Sequence, residues 1–553
     1  MAQYPIGVTR SASFVLAVLT ASLVADSVRG QTVTYVPNDF GNWIDSDFWL
    51  NAPAPGYPNA AGVDVVLPQP IGSTANAGTY TLSLNSTDIT LGSLTSNNDP
   101  TGARFFVTQI QNGKLIFDSG SPGVSAKLNE NGIAVTTSNA TRMRIVATVQ
   151  LNSDLEVNSN HALDKNTNTE IFGRIDGAAD KTITKKGYGN LQLDFGAPAV
   201  GVTEGFFGNL VIENGAVRLI VLNNGSEGTV NNVLSKSAGV TVVSGGQLQF
   251  GNILNSVTLG PGAELKLNGI GKAAPANAKN DGALRFADAL TTNCTFQSPI
   301  NLQSDSRINV DAATNTGTLA QEVRGVGQLQ KSGPGTVALN FANTYSGGTA
   351  VMEGALKVDG ASATLGTGNV TVSSVAGASL RIETGVTNAI ANSAALSLGG
   401  GGSAGADQGY AFLGAGVNET IGGLILGGTT ITTPGTYGAT GSGATNLFDD
   451  FFAGTGMVTL SSSFLAADFN NSGSVDGVDL GLWKNGFGPT TGQTKINGDA
   501  NSDGAVDGAD FLVWQRQVGL GSPISAIPEP TAAFLTFLAA PLAAMIRRKR
   551  HGV

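Results

Sequence analysis

Between Gly325 and Asp359 the chain reads GVGQLQKSGPGTVALNFANTYSGGTAVMEGALKVD, and this stretch narrows the choice of fold more than any other. Apolar residues alternate with polar ones at Leu329, at Val337 and Leu339, and at Leu356 and Val358. Gly325, Gly327, Gly333, Gly335, Gly347, Gly348 and Gly354 separate these bursts. Alternation with period two predicts short strands with one buried face, and the glycines predict tight turns between them.

The unit recurs. ITKKGYGNLQLD, starting at Ile183, aligns with LQKSGPGTVALN, starting at Leu329, so that Lys185 matches Lys331, Gly187 matches Gly333, Gly189 matches Gly335 and Leu193 matches Leu339. Looser copies of the second half begin at Gly113, Gly246, Gly262 and Gly377. A single such strand pair cannot enclose a core, whereas stacked copies can, so the expected architecture is a β-solenoid.

The pattern carried by Gly325, Gly327, Leu329, Lys331, Gly333, Gly335, Thr336 and Leu339, and continued by Asn343, Tyr345, Gly347, Gly348, Thr349, Gly354, Leu356 and Val358, resembles the autotransporter-associated β-strand repeat. That resemblance implies an all-β fold, a right-handed parallel β-helix, in an exported and surface-displayed chain.

Composition agrees with a turn-dense β chain. The 553 residues include 76 Gly, and 13% are charged, while hydrophobic content is ordinary, which argues against disorder. The net charge of −10 disfavours nucleic acid as a partner, because phosphate contacts need clustered Lys and Arg. Cys294 is the single cysteine, which excludes an intrachain disulfide and is expected in the core rather than as a reactive thiol.

The ends carry addresses. Arg10 precedes the apolar run Phe14 to Ala25, and Val28-Arg29-Gly30 offers a cleavage site, so residues 1–30 are expected to be a signal peptide, a retained anchor being the alternative. Residues 31–100, with Trp43 and Trp49, are expected to cap the solenoid. A carbohydrate platform is the other reading of the two indoles. Residues 101–462 are the expected solenoid. At the far end, Pro528-Glu529-Pro530 precedes an apolar run from Thr531 to Ile546 and then Arg547-Arg548-Lys549-Arg550. As a helix at about 1.5 Å per residue the run would be short for a membrane span. The order of these features resembles the PEP-CTERM sorting signal. Residues 521–553 are therefore expected to be a transient transmembrane tail processed by an exosortase, simple anchoring being the alternative.

The strongest chemical signal lies in residues 465–520. Asp468, Asn470, Ser472, Asp476 and Asp479 occupy positions 1, 3, 5, 9 and 12 of a loop, Gly473 occupies position 6 and Ser474 offers its carbonyl at position 7. Asp499, Asn501, Asp503, Ala505 (carbonyl), Asp507 and Asp510 repeat the arrangement. Alternating oxygens around a glycine bend suit one hard cation, and so many oxygens in flexible geometry favour Ca²⁺ over Mg²⁺, with the carboxylate at position 12 closing the shell bidentately. Ser472 in place of a carboxylate or amide predicts a weaker first site. Short helical runs follow each loop, Leu480 to Trp483 and Phe511 to Arg516. This loop-helix duplicate, lacking entering helices, resembles a dockerin type I domain. The resemblance implies a small α-helical, calcium-binding module and a cohesin-like partner. Gly477-Val478 and Gly508-Ala509 depart from that family's usual contact pairs.

Taken together, these readings predict a non-catalytic cell-surface or matrix protein, with a surface polysaccharide as a further partner. The alternative is a carbohydrate-active β-helix enzyme, a lyase or glycosidase attached through its dockerin. His161, Asp164 and Glu170, and Arg307, Asp311 and Arg324, are the scattered polar groups it would draw on. With His161 and His551 the only histidines, triads based on histidine are disfavoured.

Overall fold

The computed structural model describes residues 31–35, 41–52, 54–67, 78–97, 106–131, 142–159, 168–194, 206–220, 234–251, 256–272, 281–287, 293–401, 406–460, 465–470, 472, 474–488, 491–501 and 503–520. The expected signal peptide and sorting tail lie outside them, as do His161, Asp164, Asn471, Gly473 and Ser502. The chain divides into two compact units between Ser461 and Ser462. No helix among the described residues is long and apolar enough to cross a membrane.

The first unit consists mostly of β-strands paired in parallel. Most strands pair with their counterpart one repeat later in continuous register, with one shift where Leu265–Gly269 pairs with Ile300–Val310. Through the best repeat, Leu329–Ser332 pairs with Ile300–Val310 on one side and Thr349–Val351 on the other, with Ser306, Leu329 and Thr349 in line. A second ladder runs through Thr336–Leu339, Ala355–Val358, Ser379–Ile382 and Tyr410–Leu413, aligning Val337, Leu356, Leu380 and Ala411. The residues in that column are all fully buried, as are Leu339, Val358, Ile382 and Leu413 two positions on. The alternation in the sequence is thus the inward face of each ladder. Inside the expected cap, Asp64–Leu67 already pairs in parallel with Ser93–Asn97, and Asp88–Leu91 with Lys114–Phe117.

The repeat's polar residues bond its turns. Lys331 is buried, and its Nζ donates to the carbonyls of Ser332 and Gly333, both at 2.7 Å, and of Glu353, one repeat later, at 3.0 Å. Lys185 holds the same place, bonded to Lys186, Gly187 and Asn214. An ammonium has three donors and meets three carbonyls, so one side chain ties two successive turns together. Burial pushes both amines down to about 7, helped at Lys185 by the charge of Lys272 and opposed by Glu130 at Lys185 and by Glu353 and Asp281 at Lys331. Gly354, at φ +65°, must be glycine, since a Cβ there would lie 2.4 Å from the carbonyl oxygens of Gly333 and Gly335. Asn343 accepts from Val323 N–H at 2.8 Å and donates to the Phe341 carbonyl, and the buried Tyr345 hydroxyl meets Thr349 at 2.7 Å.

Among the named strand pairs, antiparallel pairing occurs at the first strand, Thr32–Tyr35 with Trp49–Leu50, and near the last, Gly423–Leu426 with Thr429–Ile431 and Gly435–Gly438 with Met457–Leu460. Such pairs cover strand edges that would otherwise stay open. Trp43 and Trp49 are buried, with ring centroids 4.9 Å apart. The Trp43 indole donates to Pro58 and the Trp49 indole to Trp43. Buried indoles cannot present a sugar platform, so that reading is set aside. Cys294 is fully buried and its thiol is pushed up to about 12, as expected of a core residue.

Candidate calcium-loop module

The second unit contains two helices, α1 (Gly477–Gly486) and α2 (Gly508–Gln517). They start three residues earlier than the sequence reading placed them, because loop residues serve as helix caps. Asp476 caps α1, accepting from Val478 N–H, and Asp479 reaches back to the Asp476 N–H. Asp507 and Asp510 form the same capping box on α2. Positions 9 and 12 of each loop therefore start the helix as well as supplying oxygens, and the Asp-Gly-x-Asp spacing has a purely structural role alongside any metal role.

In the first loop, Asp479 accepts from Phe469 N–H at 2.8 Å, Asn470 N–H at 3.2 Å and Asp476 N–H at 2.9 Å. In the second, Asp510 accepts from Ala500, Asn501 and Asp507 N–H at 2.8, 3.1 and 2.8 Å. A carboxylate offers about four lone-pair sites, so three backbone bonds still leave acceptor capacity on each. Asp468 and Asn470 both accept from Ser472 N–H at 2.9 Å, Asn501 accepts from Asp503 N–H at 3.0 Å, and Asp499 accepts from Gly504 N–H at 2.9 Å. Gly504, at φ +85°, makes the expected bend.

The donor set fits a hard cation. Asp468, Asp479, Asp499 and Asp510 are all at least nine-tenths buried, and carboxylates withdrawn from water need a compensating charge. Among the described residues there is no group of three or more His, Cys, Asp or Glu side chains already converged as a metal cluster. The shell the loops can offer thus draws on Asn, Ser and carbonyl oxygens as well as carboxylates.

The loops differ at position 5. The Ser472 hydroxyl donates to the Ser474 carbonyl at 3.1 Å, occupying the oxygen expected as the position 7 ligand. Asp503, its counterpart, accepts from Ala505 N–H at 2.9 Å and leaves the Ala505 carbonyl to other donors. Lys495, in the short 3-10 turn Lys495–Asn497, has its ammonium pushed down by burial and pulled back up by Asp468 and Asp479. The first loop therefore contends with a resident cation.

The sequence reading placed Trp483 and Trp514 on helical runs but gave them no role. The Trp483 indole donates to the Asp507 carbonyl at 2.9 Å, and the Trp514 indole donates to the Asp476 carbonyl at 3.0 Å, so each helix clasps the opposite loop. The backbone repeats this exchange. Val475 pairs with Gly519 and Leu520 after α2, and Val506 with Gly488 after α1. The signal was present, because the same sequence offset relates Asp468 to Asp499, Asp476 to Asp507 and Trp483 to Trp514.

Of the groups considered for catalysis, those among the described residues are taken up in separate ion pairs. Buried Glu170 is bonded to Arg142 at 3.0 Å and Arg144 at 2.7 Å, and Asp311 to Arg285 at 2.6 and 3.0 Å. Arg307 bonds Asp281, and Arg324 bonds Glu264, each at 2.6 Å.

Residues 466–519 match the Dockerin type I domain, and residues 329–358 match the Passenger-associated-transport-repeat. Over 195 residues, 35% of this chain, the sequence is 31% identical to the adhesin BmaC autotransporter of Brucella suis biovar 1 (strain 1330), and the matched part spans 5% of that adhesin. No solved structure matches.

Proposed function

We propose that this chain is an exported, non-catalytic protein of the cell surface or extracellular matrix. In this reading a right-handed parallel β-solenoid carries a calcium-dependent docking module. The observation that carries the proposal is the unbroken parallel register through the passenger-type repeat, in which the buried Lys331 bonds two successive turns. A unit that satisfies its own turns and hands its strand edges to the next copy suits a spacer or adhesive stalk. The partial likeness to an adhesin supports the same reading, and the ion-paired carboxylates speak against a catalytic groove.

The proposed organisation is a signal peptide at 1–30, a β cap at 31–100, the solenoid at 101–462, the docking module at 465–520 and a PEP-CTERM tail at 521–553 processed by an exosortase at the membrane. The proposed calcium ligands are Asp468, Asn470, Ser472, Asp476 and Asp479 with the Ser474 carbonyl, and Asp499, Asn501, Asp503, Asp507 and Asp510 with the Ala505 carbonyl. A cohesin-like domain or a surface polysaccharide would be the docking partner. Calorimetric titration of the full chain with Ca²⁺, alongside Asp468→Ala and Asp499→Ala, tests the module. Two binding events are expected, one lost in each variant, and no heat at millimolar Ca²⁺ would remove the docking role.

A further inference from the structure

Gly239 leaves a gap in an outward-facing column of side chains. It pairs with Asn209 on the preceding strand, and Glu264 stands opposite it on the following one. A Cβ at Gly239 would meet the Glu264 carbonyl oxygen at 3.5 Å and Asn209 Oδ1 at 3.7 Å, so both neighbours border the empty place. The adjoining outward column carries Val211, Thr241, Lys266, Asn301 and Arg324 in register. The result is a polar notch of about 300 Å³ walled by Asn209, Thr241, Glu264, Lys266 and Arg324. Its size is at the lower end of the range for small-molecule sites.

The walls combine fixed and unspent polar groups. Arg324 reaches back past Asn301 to bond Glu264 Oε2 at 2.6 Å, and its other terminal nitrogen lies 3.6 Å from Glu322. Asn301 donates to the other Glu264 oxygen at 3.5 Å, so the carboxylate is pinned. Lys266 lies 3.7 Å from that same oxygen, beyond hydrogen-bond distance, and is 42% exposed. Among the described residues, no hydrogen bond takes up the Lys266 ammonium, the Thr241 hydroxyl or the Asn209 side-chain amide. Exposed ion pairs of this kind contribute little to stability.

We infer that the notch is a binding subsite for an acidic sugar unit, its ring hydroxyls against Asn209 and Thr241 and its carboxylate or sulfate against the Lys266 ammonium, with Arg324 beside it. A charge-assisted bond from Lys266 selects an anionic ligand over a neutral one, Arg324 holds Glu264 in place, and the pinned Glu264 accepts from ring hydroxyls. The inference rests on the adhesive reading of the first unit and supplies its ligand class.

Isothermal titration of the full chain with trigalacturonate, a sulfated heparin tetrasaccharide and neutral cellotriose tests it, with and without EDTA. Binding of at least one acidic oligosaccharide is expected, unaffected by EDTA, with cellotriose about tenfold weaker or worse, as loss of one charge-assisted bond implies. Which of the two acidic probes binds separates carboxylate from sulfate. Gly239→Leu fills the notch at a backbone conformation open to any residue and should abolish binding with the far-UV spectrum unchanged. Lys266→Ala should weaken it about tenfold. Wild-type affinity in Gly239→Leu, equal binding of cellotriose, or no binding of any probe would overturn the notch. Binding that survives Gly239→Leu would leave the adhesive reading standing and move the ligand elsewhere. Calcium titration reports on the docking module independently of all three.

Discussion

The two units solve the same problem, a polypeptide dense in glycine and turns, by different means. In the first, buried columns of Leu, Val and Ile continue from ladder to ladder, and turn carbonyls are satisfied from within by Lys185, Lys331 and Asn343. In the second, the core is Leu465, Ala467, Phe469, Val475 and Ala500 with partly buried Leu482, Trp483, Val513 and Trp514 around it, too little to outweigh the ordering of its loops alone. A repeat can draw on its neighbours for stability, whereas a small duplicated module has only its twin and whatever cation its oxygens hold.

The sharpest way to break this comparison is to remove calcium. Chelation of the full chain should unfold the second unit, exposing Trp483 and Trp514 as a red-shifted fluorescence component, while the β signal of the first unit and the buried Trp43 and Trp49 persist. A cooperative loss of both would show that the ladders depend on the module. The next largest effect is expected from Lys331→Met, which keeps the volume but leaves buried carbonyls of Ser332, Gly333 and Glu353 without a donor. Urea denaturation should show a loss of about 3 kcal/mol, and an unchanged midpoint would mean that water replaces the ammonium.

A smaller effect distinguishes the two loops. Removing the positive charge in Lys495→Met should strengthen the first of the two proposed calcium sites several-fold and leave the second unchanged in the same calorimetric titration. Equal changes at both sites would mean that the Trp clasp couples them more strongly than Lys495 biases one. The smallest expected effect is a pH slope in the first unit. Glu419 is fully buried, its carboxyl pKa raised by desolvation against N–H donors such as Ile390 at 2.9 Å. A raised folded value means that stability is greatest below the unfolded carboxyl pKa and is lost as pH rises through the folded one. Glu419→Gln should flatten the fall in urea midpoint between pH 4 and pH 7, and an unchanged slope would assign it to other carboxylates.

Much of the fold was legible because strand alternation and turn glycines are local. The match of Lys185 to Lys331 was visible by alignment, but not that both amines are buried, since that depends on carbonyls brought in from the next repeat. The loop oxygens were legible by spacing alone. The capping role of Asp476 and Asp507 was overlooked, although Asp-Gly-x-Asp ahead of a helical run is a local signature too.

By itself the sequence determined the alternation, the turns, the doubled oxygen loops and the burial of Cys294, all consequences of residue type at short spacing. Only the tertiary structure decided that Trp43 and Trp49 are buried beyond a sugar's reach, that Trp483 and Trp514 exchange partners across the module, and that the missing side chain of Gly239 opens a notch beside Lys266. Each of these depends on residues from separate strands or loops being brought within a few ångströms, which chain order does not specify.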